Sequence, residues 1–171
     1  LQKKCVILKN SLNPAFVRPR YEGDRPQDIV AVGRMDENKN QRMAIRAFCK
    51  IAERFPDASL ILYGDGPLRR ELTEEVRSLD MSERILLPGR ITDVPEKLEK
   101  AYGFVLTSFT EGMPNTLIEA MSLGTACIST DCPCGGPKDL IRDGENGFLV
   151  PVDDSDALAD RLTKLLENPD L

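Results

Sequence analysis

The 171-residue chain carries 23 Lys and Arg against 28 Asp and Glu, a formal net charge of −5, and a sequence pI near 4.9. That balance argues against a duplex nucleic-acid binder, which sets surplus cations against the phosphates; 41% hydrophobic and 30% charged residues are the make-up of a soluble domain with a proper core. No run approaches the roughly 18 apolar residues of a membrane span, and residues 1–9 lack the small-residue cleavage site of a signal peptide.

Residues 10–28, with Pro14, Pro19 and Pro26 and no sustained period, read as a linker, so that residues 1–28 are assigned to an entry segment and 29–171 to one domain. From Ile29 onward, β-branched or apolar runs alternate with amphipathic stretches, the rhythm of a parallel sheet with crossover helices. Strands are predicted at 29–32, 60–63, 85–87, 104–107, 126–129 and 148–150. Met43, Ala44, Ala47, Phe48, Ile51 and Ala52 mark a first helix that stops before Phe55-Pro56. Leu68, Leu72, Val76 and Leu79 line a second, and Val94, Leu98, Ala101 and Tyr102 a third. Leu117, Ile118 and Met121 form the apolar arc of a fourth ending at Gly124, and Leu158, Leu162, Leu165 and Leu166 that of a fifth. The expected fold is an open α/β, Rossmann-like sheet of about six mainly parallel strands with helices on both faces.

Gly33, Gly64-Asp65-Gly66-Pro67, Gly89 and Glu111-Gly112 all fall at or just past the carboxyl ends of these strands, the edge where open α/β sheets bind ligands. Arg34 and Lys39 follow the first strand at the mouth of a helix, where backbone N–H groups also attract phosphate. Glu111 and Glu119 are two carboxylates across a loop-to-helix junction; on a helical wheel Glu119 points away from the Leu117/Ile118/Met121 arc. Gly-x-Gly at Gly64 lacks the third glycine of a dinucleotide fingerprint, and there is no Gly-x-x-x-x-Gly-Lys-Ser/Thr loop, which disfavours a Rossmann dehydrogenase and a P-loop NTPase. Cys5, Cys49, Cys127, Cys132 and Cys134, with no Cys-x-x-Cys and no histidine, make no zinc site and read as reduced thiols of a cytoplasmic protein. Cys132-Pro133-Cys134 reads as a turn carrying two thiols in preference to a redox pair.

Gly33-Arg34…Lys39, Gly64-Asp65-Gly66-Pro67, Pro88-Gly89, Glu111-Gly-x-Pro…Glu119-Ala-Met and Asp143-Gly-x-x-Gly147-Phe-Leu-Val stand in the order seen in GT-B glycosyltransferases of the group 1, or GT4, family, which the chain resembles over residues 29–168. The resemblance implies the C-terminal, nucleotide-sugar-binding half of a retaining, metal-independent transferase, facing across a cleft an acceptor domain that this chain does not contain. It puts Arg34 and Lys39 on the donor diphosphate, Glu111 on the transferred sugar and Glu119 on the ribose diol. Gly112, Met113, Pro114, Asn115, Thr116 and Leu117 become an amide cradle for the distal phosphate, Gly33 part of the phosphate-side loop, and Arg90 and Ile91 the holders of the base.

The implied partners are a nucleotide sugar, with UDP the expected carrier and no cofactor or metal, and a glycan or lipid-linked acceptor taken by the missing domain, as would be any membrane contact. Two departures stand out. Thr107-Ser108 takes the place of a commoner Pro-Ser, and Asp131-Cys-Pro-Cys-Gly-Gly-Pro137 replaces a glycine-poor turn, making Gly135-Gly136 either an extra donor contact or a helix-entry turn. The competing readings are another GT-B enzyme, such as an epimerase or a phosphorylase, and a catalytically idle nucleotide-sugar-binding module.

Overall fold

The computed structural model describes residues 10–168; residues 1–9, with Cys5 and the stretch weighed as a signal peptide, and residues 169–171 lie outside the described residues. Strands β1 (Asp28–Val32), β2 (Ser59–Tyr63), β3 (Ile85–Gly89), β4 (Gly103–Leu106), β5 (Ala126–Thr130) and β6 (Phe148–Val150) form one six-stranded sheet in the order β3-β2-β1-β4-β5-β6. Every pairing is parallel. Between the strands lie α1 (Gln41–Ile51), α2 (Arg69–Ser78), α3 (Val94–Lys100) and α4 (Asn115–Ser122), with α5 (Ser155–Glu167) last. This is the Rossmann-like sheet the sequence leads one to expect.

Side chains alternate across a pleated strand, and here the alternation sorts the core into two layers. Ile29, Leu60, Leu62, Val105 and Ile128 face a cluster completed by Phe48 of α1, Leu72 and Val76 of α2 and Leu158, Leu162, Leu165 and Leu166 of α5. Val30, Tyr63, Phe104, Leu106 and Cys127 face the other, completed by Leu98 of α3 and Leu117 and Ala120 of α4. Helices therefore cover both faces.

Four expectations need correction. The linker reading of 10–28 misses Phe16, which is 5% exposed and packs into the second cluster; Asn13 caps the short 3₁₀ turn Pro14–Phe16 that delivers it. An isolated aromatic among prolines has no period to betray its burial. The buried arc of α4 is Leu117, Ala120 and Leu123, while Ile118 and Met121 are half-buried on its flank. A wheel that counts large apolar residues passes over Ala120, the residue small enough to let the helix lie close to the sheet. Leu79 is exposed rather than inward, because α2 ends at Ser78 and Leu79 caps it. No helix joins β5 to β6 among the described residues, so the turn after Cys132 is not a helix entry. No helix among the described residues is long and apolar enough to cross a membrane.

Candidate active site

From β1 the chain passes to α1 on one face of the sheet and β2 on one side; from β4 it passes to α4 on the opposite face and β5 on the other side. The loops leaving these neighbouring strands diverge, opening a crevice at the carboxyl edge where the strand order reverses. Lys39 ends a 3₁₀ turn (Glu37–Lys39) capped by Asp36. From the opposite loop comes Glu111, and Lys39 Nζ donates to Glu111 Oε1 at 2.5 Å with side chains 25% and 11% exposed. Ser108 Oγ donates to the same oxygen at 2.7 Å. All the partners found for Glu111's carboxylate among the described residues are thus on Oε1. Pairing at this depth is costly to break, because a partly desolvated carboxylate would be left without its cation.

The loop around Glu111 is braced from β5. Thr130 Oγ1 donates to the Ser108 carbonyl at 2.7 Å, and the Gly136 amide to the Glu111 carbonyl at 3.3 Å. A Cβ on Gly136 would lie 2.2 Å from the Gly112 carbonyl oxygen, so the second glycine of the Gly135-Gly136 turn is there for backbone-on-backbone packing. A Cβ on Gly112 would meet nothing within 4 Å. Gly112 therefore borders open space.

α4 opens at Asn115 with Pro114 as its N-cap and no side-chain capping bond. The Leu117 and Ile118 amides donate to the Pro114 carbonyl at 3.1 and 3.2 Å, which leaves the amides of Asn115 and Thr116 without an intrahelical acceptor, at the end of a dipole favourable to anions. Glu119, in the second turn, is half-buried, and desolvation holds its carboxyl above the usual glutamate range. No side chain among the described residues pairs with it.

Further along the edge, the loops after β1, β2 and β3 are stitched by main-chain bonds: Gly33 N to Tyr63 O at 3.0 Å, Met35 N to Asp65 O at 3.0 Å and Gly64 N to Gly89 O at 2.8 Å. The Gly64-Asp65-Gly66 turn is explained by closeness. A Cβ on Gly64, whose φ is +135°, would lie 1.8 Å from Gly33 O, and one on Gly66 2.3 Å from Met35 O. These loops line a shallow depression with Gly33, Arg34, Arg90 and Ile91 on its walls. Arg34 is 72% exposed and only loosely paired with Asp36 at 3.6 Å.

Of the residues singled out from sequence, Lys39 and Glu111 are brought into contact, and Gly33, Arg34, Arg90 and Ile91 share one depression. Gly112 to Thr116 form a loop and a helix start without a side-chain cap, where Asn10 donates to Met113 Sδ and Asn115 Oδ1. Of the expected amide cradle, Pro114 is buried and has no N–H to give, and Leu117 is buried with its amide bonded to the Pro114 carbonyl, while Glu119 stands apart from the depression. Sequence reading missed Ser108, Thr130 and the structural role of Gly136, because in loops no periodicity says which side chain faces which. Cys132 is buried, which pushes its thiol up, Cys134 is exposed, and no described cysteine is in a disulfide. No group of three or more acidic, cysteine or histidine side chains that could hold a metal occurs among the described residues.

The family profile described as glycosyl transferases group 1 matches residues 26–168. The chain belongs to the group 1 glycosyl transferases. A relative from Campylobacter jejuni, N-acetylgalactosamine-N,N'-diacetylbacillosaminyl-diphospho-undecaprenol 4-alpha-N-acetylgalactosaminyltransferase, is 31% identical over 99% of this glycosyl transferase chain and 46% of its own length. Among solved structures, the lipopolysaccharide outer core galactosyltransferase WaaB is 29% identical with a TM-score of 0.76, over 94% of this chain and 45% of WaaB. S. aureus TarM, crystallised with UDP, α-GlcNAc-glycerol and fondaparinux, shares the fold at a TM-score of 0.84 and 22% identity, over 90% of this chain and 31% of TarM. The chain spans less than half the length of each.

Proposed function

We propose that this chain is the donor-binding half of a retaining, metal-independent hexosyltransferase of the GT4 type, which takes a UDP-sugar and passes its sugar to a glycan or lipid-linked acceptor held by a further domain. The observation that carries the reading is the Lys39–Glu111 pair at the strand-order reversal, beside the bare backbone of Gly112 and the uncapped start of α4. A cation, free amides and a positioned carboxylate meet there at one edge.

The chemistry follows from where charge moves. As the bond from the anomeric carbon to the diphosphate breaks, its electron pair goes to the phosphate oxygen while positive charge spreads over the sugar ring. Lys39, Arg34 and the amides opening α4 can meet the growing negative charge, stabilising the transition state more than the ground state. Glu111, its Oε1 fixed by Lys39 and Ser108, has Oε2 to accept a sugar hydroxyl and steady the ring. Glu119, half-buried and without a side-chain partner among the described residues, is suited to accept hydrogen bonds from the ribose diol, and Arg90 and Ile91 border the place for the base. UDP in the TarM complex makes it the first nucleotide to try. Calorimetric titration of UDP into the full-length protein in EDTA is expected to give binding; binding that appears only with added magnesium or manganese contradicts the metal-free reading. NMR of the sugar product, with the anomeric configuration of the donor kept, tests retention.

A further inference from the structure

Lys39 and Glu111 come from loops that share no strand pairing, and the 3₁₀ turn bearing Lys39 is only three residues long. What keeps them in register is a second set of contacts, just outside the charged pair. Asn38 Oδ1 accepts from both the Thr110 amide at 3.1 Å and the Thr110 hydroxyl at 2.8 Å, while Asn38 Nδ2 donates to the Thr110 carbonyl at 3.1 Å. Asn38's own carbonyl accepts from the Phe109 amide at 2.8 Å. In addition, the Thr107 hydroxyl donates to the Lys39 carbonyl at 2.8 Å. The Asn38 side chain thus gives and takes with one residue as a paired strand would, in a loop where no strand runs.

These five bonds lie next to the charged pair in both loops. They tie residues 38–39 to residues 107–110, the segments that set where the Lys39 ammonium and the Glu111 carboxylate sit. Thr107 is buried, so its hydroxyl has a fixed partner, and a proline in its place could not make that bond.

We propose that Asn38 and Thr107 are positioning residues that clamp the loop after β1 to the loop after β4 and so hold Lys39 and Glu111 at their working separation; the proposal rests on the donor-site reading above. A shift of about 1 Å between reacting groups can cost on the order of a hundredfold in rate, so the clamp acts on turnover more than on binding.

The test uses the full-length protein with UDP-glucose and UDP-N-acetylglucosamine as probes, following UDP release. Asn38→Ala and Thr107→Val are expected to lower kcat about tenfold or more while leaving the donor KM close to wild type, with Thr107→Ser restoring turnover because it keeps the hydroxyl. Unchanged turnover with a lowered Tm would reduce these bonds to loop anchors and overturn the proposal, as would a Thr107→Ser variant as slow as Thr107→Val. A second measurement needs no donor. The Tm shifts of Lys39→Met and Glu111→Gln should be non-additive in the wild type and closer to additive in the Asn38→Ala background; equal non-additivity in both contradicts the clamp. A wild type that releases UDP from neither probe and binds no UDP defeats the donor reading, and the second measurement then decides the clamp alone.

Discussion

Two adjoining stretches, the loop ending at Glu111 and the helix start that follows it, are built in opposite ways. In the loop, Glu111 Oε1 has Lys39 and Ser108, the Ser108 carbonyl has Thr130, and the Glu111 carbonyl has Gly136. At the helix start, Gly112 faces space, α4 has no side-chain cap, and no side chain among the described residues pairs with the half-buried Glu119. The difference teaches a division of labour. One stretch is fixed by side-chain bonds across three loops, and the other keeps free amides and an unpaired carboxylate, which on the donor-site reading a ligand completes.

The largest expected effect comes from two glycines that face each other across that boundary. Gly136→Ala drives a methyl into the Gly112 carbonyl and should cost about 3 kcal/mol or more in urea unfolding, since backbone has little room to yield. Gly112→Ala has free space and ordinary backbone angles, so its stability should stay within about 1 kcal/mol of wild type. Yet, on the donor-site reading, it should weaken UDP, because the methyl enters the open space at the loop that leads into α4. A destabilised Gly112→Ala with unimpaired UDP binding would erase the contrast.

Next come the two cations. Lys39→Ala and Arg34→Ala should each weaken UDP by roughly 1.5–3 kcal/mol, about tenfold or more, with uridine hardly affected. Lys39→Ala alone should also lower Tm, because it strands a carboxylate that is 11% exposed, whereas Arg34 is 72% exposed and its loss should leave Tm unchanged. Equal losses for UDP and uridine would point to misfolding or to a site elsewhere.

The smallest effect is a pH dependence. Desolvation raises the folded-state value of Glu119, so the folded state holds its proton after the unfolded chain, near 4.3, has released it. Stability contributed by this residue therefore falls as pH rises from about 4.3 through the raised value. Glu119→Gln removes that loss, so its Tm should sit slightly above wild type at neutral pH and converge with it near pH 4. A Tm difference that does not change with pH would mean that Glu119 is paired or fully hydrated.

Much of the frame is legible in the sequence because it rests on periodicity. Leu158, Leu162, Leu165 and Leu166 at helical spacing declare α5, and the runs around Ile29, Leu60 and Phe104 declare strands. The site is half legible. Lys39, Glu111 and the glycine turns stand out because they fall at strand ends, but their mutual contact and its bracing by Ser108, Thr130 and Gly136 arise from three loops far apart in sequence. Chain spacing carries no information about how such loops meet. Phe16 and Ala120 were hidden for a related reason: burial there depends on what a single aromatic or a small residue lies against, which no local pattern records.

The central claim is that the prepared stretch meets the sugar and the open stretch meets the nucleotide. The most direct measurement is calorimetric titration of UDP and of the UDP-sugar that the wild type binds, in EDTA, against Glu111→Gln and Glu119→Gln proteins shown to be folded. Glu111→Gln should leave UDP affinity almost intact and weaken only the sugar nucleotide, while Glu119→Gln should weaken both, since both ligands carry the ribose. If Glu111→Gln binds both ligands as the wild type does, or if Glu119→Gln is inert toward both, the assignment of these carboxylates is wrong.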